Sequence, residues 1–183
     1  MKTGKHKNGA AGGALALLKA DHAKIKALFR AFDALRGRGD AVRRKTELVD
    51  EICFELTRHS MLEEEIFYPV LRSAIDDDEL LDEADVEHAG AQELIGQLEI
   101  MVPGDGHYDA TVTVLGEEVE HHIAKEESEL FAAARGAGID LDALGAQLAA
   151  RKAELEEDLS SPPSTLDAMM PHDGARRQPR APN

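Results

Sequence analysis

Apolar residues recur in alternating steps of three and four through four long stretches of this chain. Leu15, Leu18, His22, Ile25, Phe29 and Phe32 make the first seam. On a 3.6-residue helix these positions share one face, so the spacing predicts an amphipathic helix from Leu15. Gly37 and Gly39 break it, and Asp40 is placed to cap a second helix. The second seam is Val49, Ile52, Leu56, His59, Glu63, Phe67 and Val70. Pro69 lacks an N–H and should kink or finish that helix. The run Asp76-Asp77-Asp78-Glu79 suits the positive end of a third helix dipole. Its seam is Ala84, His88, Ala91, Ile95, Leu98 and Val102, closed by Pro103-Gly104-Asp105-Gly106. The fourth seam is Val112, Leu115, Val119, His122, Glu126 and Leu130, stopped near Gly136 and Gly138. Leu141 to Leu155 predicts a shorter fifth helix, packed on the others or forming an edge contact. Residues 1–13 read as a flexible leader and 159–183 as a disordered Pro-rich tail. That leaves 14–158 as one all-α domain.

Six polar residues sit in phase with the apolar seams: His22, His59, Glu63, His88, His122 and Glu126. A buried His or Glu without a partner costs several kcal/mol for an ionised carboxylate. The six also form an internal repeat. His59 and Glu63 are spaced four apart, as are His122 and Glu126, which aims an imidazole and a carboxylate of one helix face at a common point. A lone histidine precedes each pair: His22 lies 37 residues before His59, and His88 lies 34 before His122. Four helices converging there would supply four nitrogens and two carboxylates. That suffices for two transition-metal ions, with coordination positions left open. Imidazole with carboxylate suits iron, manganese or zinc and disfavours copper(I).

His121 competes with His122. Aligning His59 on His122 places Glu63 on Glu126, Glu64 on Glu127 and Arg58 on His121. An arginine is no ligand, so the repeat and the seam both favour His122. By phase, Glu64 and Glu127 read as outward-facing helix charges. Asp21 and Glu87, each preceding a lone histidine, read either as acceptors for a ring N–H or as surface charge. Tyr68 reads as core or interface. His6, His107 and His172 fall in loops or tails and carry no specific role.

Composition narrows the function. The formal net charge is −15, and residues 14–159 carry 15 Lys and Arg against 34 Asp and Glu. A phosphate backbone would be repelled, so no nucleic-acid partner is expected. No apolar run reaches the length of a membrane span, and a cytoplasmic protein is expected. Cys53 is the sole cysteine, which excludes an intrachain disulfide and a thiolate-rich metal site. Between Ile52 and Phe54 it reads as packing.

The combination Asp21-His22, His59-Ser-Met-Leu-Glu63-Glu64 leading to Phe67-Tyr68-Pro69, Glu87-His88, and His122-Ile-Ala-Lys-Glu126-Glu127 leading to Leu130-Phe131 resembles the hemerythrin-like HHE cation-binding family. The resemblance spans about residues 14–135. It implies an up-down-up-down four-helix bundle around a non-haem di-iron centre. It makes Glu63 and Glu126 candidates to bridge the irons, with His22, His59, His88 and His122 as terminal ligands. One position departs from the oxygen-carrying members, which have a further histidine one turn after the third; here it is Gln92. Loss of that nitrogen argues against reversible oxygen carriage and for an open site. The expected function is the handling of oxygen or peroxide, including decomposition of hydrogen peroxide. The alternatives are a non-catalytic sensor of oxygen, nitric oxide or iron, and a metal-free interaction bundle. A ferritin-like site would need Glu-x-x-His twice; Glu118-x-x-His121 supplies it once, and helix 2 offers Glu55-x-x-Arg58.

Overall fold

The computed structural model describes residues 13–75 and 78–160. The expected leader up to residue 12, Asp76, Asp77, and the expected tail from residue 161 lie outside the described residues. Seven α-helical segments follow one another: α1 (Ala14–Asp33), α2 (Val42–Leu62), α3 (Tyr68–Arg72), α4 (Asp78–Ile100), α5 (Tyr108–Lys125), α6 (Phe131–Gly136) and α7 (Leu141–Ser160). A π turn, Glu63–Phe67, joins α2 to α3, and a second, Glu126–Leu130, joins α5 to α6. There is no strand among the described residues.

The long helices α1, α2, α4 and α5 close a ring in which α1 packs on α2 and α5, and α4 packs on α2 and α5. This is the expected up-down-up-down four-helix bundle. The fifth helix, α7, lies outside the ring against α1 and α2. It buries Leu144, Leu148 and Leu155 there. Gly145 makes this docking close: a Cβ on it would stand 2.7 Å from the backbone nitrogen of Ala14.

Two apolar clusters fill the bundle. One holds Leu18, Leu62, Phe67, Leu71, Leu81, Leu130 and Phe131 together with the buried leucines of α7. The other holds Ile25, Phe32, Ile52, Leu56, Leu98, Leu115, Val119 and Ile123. The six in-phase polar residues form a layer between them.

The seams fail in specific places. Asp40 does not cap α2; it lies in a 3₁₀ turn, Gly39–Ala41, and pairs with Arg38. Pro69 does not end its helix, which runs on to Arg72. It sits in the first turn after a π segment, where a missing N–H costs least. Nor does it cause that π turn, because the second one has no proline. The extra residue of the π turn shifts the phase, so the buried position moves from Val70 to Leu71. Val102 lies beyond the end of α4 and is 63% exposed.

Candidate metal centre

Each π turn begins at a seam glutamate. Up to Glu63 and Glu126 the helices keep α spacing, which stacks His59 under Glu63 and His122 under Glu126. At these glutamates the backbone widens: Tyr68 N–H donates to the Glu63 carbonyl, and Phe131 N–H to that of Glu126. Such turns recur where a helix must present side chains off its regular phase.

All six seam residues are buried in one layer, in two sets sharing one member. His22, His59, Glu63 and Glu126 form the first; Glu63, His88 and His122 form the second. In the first, His22 Nε2 lies 3.1 Å from His59 Nε2 and 3.0 Å from Glu126 Oε2. His59 Nε2 lies 3.1 Å from Glu63 Oε1. In the second, His88 Nε2 lies 3.2 Å from His122 Nε2 and 3.3 Å from Glu63 Oε2. Glu63 thus turns one oxygen to each set, while Glu126 belongs to the first. His121 joins neither: its side chain is 74% exposed, 3.8 Å from Glu87.

The outer nitrogens fix the inner ones. His22 Nδ1 is 3.0 Å from Glu127, His88 Nδ1 is 2.9 Å from Glu64, and His122 Nδ1 is 2.8 Å from Glu87. A ring nitrogen facing a carboxylate donates its proton, which leaves Nε2 with a bare lone pair. The lone pairs of His22, His88 and His122 point inward at one another and at carboxylates, and the Tyr68 hydroxyl, which donates to Glu63, is 3.4 Å from His88 Nε2. Glu63 Oε1 and both Glu126 oxygens are buried and receive no hydrogen bond. A layer so rich in acceptors fits a cation. The spacing also fits: two nitrogens about 2.1 Å from one ion, at a right angle, stand roughly 3 Å apart.

The electrostatics agree. Burial holds the His59 imidazole well below its ordinary pKa, and the His22, His88 and His122 rings act the same way. Burial and His122 also lower His88, against the opposing pull of Glu64. Burial, then the Glu126 carboxylate, push the Glu63 carboxyl well above the usual range. The site resists extra protons on His59 and His88 and charge on Glu63; a bound cation needs the first kept neutral and offsets the second.

Glu64 and Glu127 are not idle outward charges. Each follows a seam glutamate and reaches across to the histidine of a neighbouring helix. The Glu-Glu doublet, present in both halves of the repeat, was the available signal. Of the two readings open for Glu87, the structure selects the ring acceptor. Tyr68 is no mere core residue. Its hydroxyl lies 3.3 Å from Glu63 Oε2 and 3.4 Å from His88 Nε2. Burial, then Glu63 and Glu126, push its pKa well up, so it stays protonated. Gln92 does not face the centre: it is exposed, and its amide donates to Glu64 at 3.5 Å. Glu64 stands between it and His88.

Comparison with known proteins gives the family and the fold. The family model for the Hemerythrin HHE cation binding domain matches residues 13–134. The chain belongs to that family. A curated protein of Nostoc sp. described as a DNA nickase is 30% identical over 122 residues, which cover 65% of this chain and 32% of that protein. The chain therefore spans about a third of that relative's length. The crystal structure of a hemerythrin HHE cation-binding domain-containing protein from Mycobacterium kansasii superposes with a TM-score of 0.68 at 25% identity, covering 80% of this chain and 88% of that one. No described helix is long and apolar enough to cross a membrane.

Proposed function

We propose that the six-residue layer holds two metal ions, with iron the metal the family resemblance favours. His22, His59 and Glu126 would hold one, His88 and His122 the other, and Glu63 would bridge them. The observation that carries this is the pair of sets sharing Glu63, with buried Glu63 and Glu126 oxygens that receive no hydrogen bond. Manganese and zinc suit the same donors.

We infer further that the centre handles oxygen or peroxide and that its turnover is the disproportionation of hydrogen peroxide, in which one molecule is oxidised to oxygen and another reduced to water. Bound iron would supply the electron transfer. The protein's part is geometric. An open cleft of about 450 Å³ is lined by Glu64, Tyr68, Pro69, Arg72, Asp85, Ala89 and Gln92. The Tyr68 hydroxyl lies between this cleft and the second set, which has three candidate ligands where the first has four. A molecule of peroxide size arriving from the cleft meets that hydroxyl first. Tyr68 can then donate a hydrogen bond to it or to Glu63. The carboxylates behind His22, His88 and His122 keep those rings from turning, so the inward lone pairs stay aimed.

The excess of acid over base across residues 14–159 argues against a nucleic-acid substrate for this chain. The test is metal content per chain, the near-ultraviolet absorption of an iron pair, and oxygen release on adding peroxide. Two metals with oxygen release support the reading. Metal without turnover would assign the chain to binding or sensing oxygen, nitric oxide or iron. No metal would overturn the reading.

A further inference from the structure

Three of the four inward imidazoles are held from behind by a carboxylate; the fourth, His59, has its Nδ1 buried without a hydrogen-bond partner. The repeat says where a partner belongs. Glu127 follows Glu126 and holds His22, and its counterpart Glu64 follows Glu63 and holds His88. Glu87 precedes His88 and holds His122 on the adjoining helix. The counterpart of Glu87 is Asp21, which precedes His22 on α1, beside the α2 helix that carries His59. Asp21 is buried, and its Oδ2 also lacks a partner. Its Oδ1 accepts a hydrogen bond from Lys152 of α7.

We propose that Asp21, clamped by Lys152, is the positioning residue for His59, and that α7 is thereby part of the metal centre. This rests on the reading of the six residues as metal ligands. It goes beyond the family match, which ends at residue 134, before α7 begins.

The asymmetry between the halves explains the pairing. On the α4–α5 side no described helix covers Glu87, whose side chain is 27% exposed. On the α1–α2 side α7 lies over Asp21 and leaves its side chain 5% exposed. A carboxylate taken out of water needs a cation, and Lys152 reaches it from the bundle surface. The charge of Lys152 is also felt at His59, in the same direction as burial and the other three rings. Aspartate is one methylene shorter than glutamate. Asp21 and His59 share no hydrogen bond in this structure, so the shorter side chain has to swing toward Nδ1 or reach it through one water, where Glu87 makes its contact with His122 directly. The two halves of the layer are therefore unlike, and an ion held by His22 and His59 is the one α7 would tune.

Two measurements on Asp21→Asn, Asp21→Glu, Lys152→Met and Lys152→Arg test this. The first needs no metal: ring nitrogen–proton spectra of the metal-free protein. Asp21→Asn and Lys152→Met should move the His59 ring signals and leave those of His88 and His122 in place. The second titrates iron(II) against a chelator. Asp21→Asn should weaken one of two ions roughly 10- to 100-fold, the range for loss of an outer partner. Lys152→Met should weaken the same ion by less, while Asp21→Glu and Lys152→Arg should restore it. Unmoved His59 signals overturn the proposal, as does equal weakening of both ions. So does a lower melting temperature with His59 and both affinities unchanged, which would make the pair a docking contact only. If the wild type binds no iron yet the His59 signals move as stated, the ligand reading fails and the Asp21–His59 link stands.

Discussion

Tyr68 and Phe131 occupy the same place in the two halves of the bundle, nine residues after His59 and His122 and just past each π turn, yet only Tyr68 carries a hydroxyl into the centre. Phe131 instead lies parallel to the His22 ring, with centroids 5.8 Å apart. The repeat thus makes one half of the layer dry and apolar at this position. The other half is polar and next to the 450 Å³ cleft.

Tyr68→Phe should therefore fold and keep its metal, because the other half already accommodates a phenyl ring there. The lost hydrogen bond to the Glu63 carboxylate sets the cost, about 1 kcal/mol in stability. Peroxide consumption per bound metal should fall on the order of tenfold, the equivalent of one hydrogen bond to a charged group. An unchanged rate at equal metal content would remove Tyr68 from the reaction and point to another approach.

The shared position of Glu63 makes a different forecast about stoichiometry. Alanine at His88 or His122 should lower metal content from two ions toward one, since these residues belong to the second set only. Alanine at His22, His59 or Glu126 should do the same through the first set. Glu63→Ala should reduce both. His121→Ala should retain both, its side chain being turned to solvent. Metal analysis of the purified variants checks this. Loss of metal in His121→Ala would contradict the assignment of His122.

Much of the centre is legible in the sequence, and the boundary is instructive. The six buried polar residues announce themselves by phase, because a helix repeats every 3.6 residues whatever fills its core. The π turns do not. They leave the spacing up to Glu63 and Glu126 intact and displace only the residues beyond those glutamates, so Val70 stands in for Leu71 in the seam and Tyr68 reads as packing. Glu64 and Glu127 lie about 100° off the seam. That angle faces solvent on a lone helix and faces the neighbour's histidine in a ring of four. Lys152 is invisible for a simpler reason: α7 lies outside the repeat, so no symmetry points to it.

Metal loading should release protons, and the sign comes from the shifts. Glu63 has its carboxyl raised well above the ordinary range by burial and by Glu126, so the empty layer keeps a proton there at pH values where a free glutamate has lost it. A cation expels that proton. His59 and His88 are lowered, so they are neutral near pH 7 and release little. Affinity should accordingly rise with pH while Glu63 is the group losing a proton, and fall again in acid. Titrating iron(II) or zinc into weakly buffered metal-free protein near neutral pH, with a pH-stat, measures the release. No proton release would mean that Glu63 is already ionised in the empty layer.

Two helical glycines should respond to substitution with opposite signs, and together they test how tightly α7 is docked. A Cβ on Gly96, about one turn before the C-terminal end of α4, meets nothing within 4 Å. Gly96→Ala should stabilise the protein by about 0.5–1 kcal/mol, the helix-propensity gain. A Cβ on Gly145 would stand 2.7 Å from Ala14 N and 2.8 Å from Gly13 C. Both are backbone atoms with no rotamer to retreat into, so α7 itself must move. Gly145→Val should destabilise by roughly 1–3 kcal/mol, as overpacking does. Because Lys152 rides on the same helix two turns further along, the shift should also draw it from Asp21. Thermal melts of both variants, with and without metal, separate the effects. The Gly96 variant should gain stability in both states. The Gly145 variant should lose it in both, and should also lose part of the stabilisation that metal confers on the wild type. If Gly145→Val melts like the wild type, α7 rests loosely on α1 and is too mobile to hold Lys152 against Asp21.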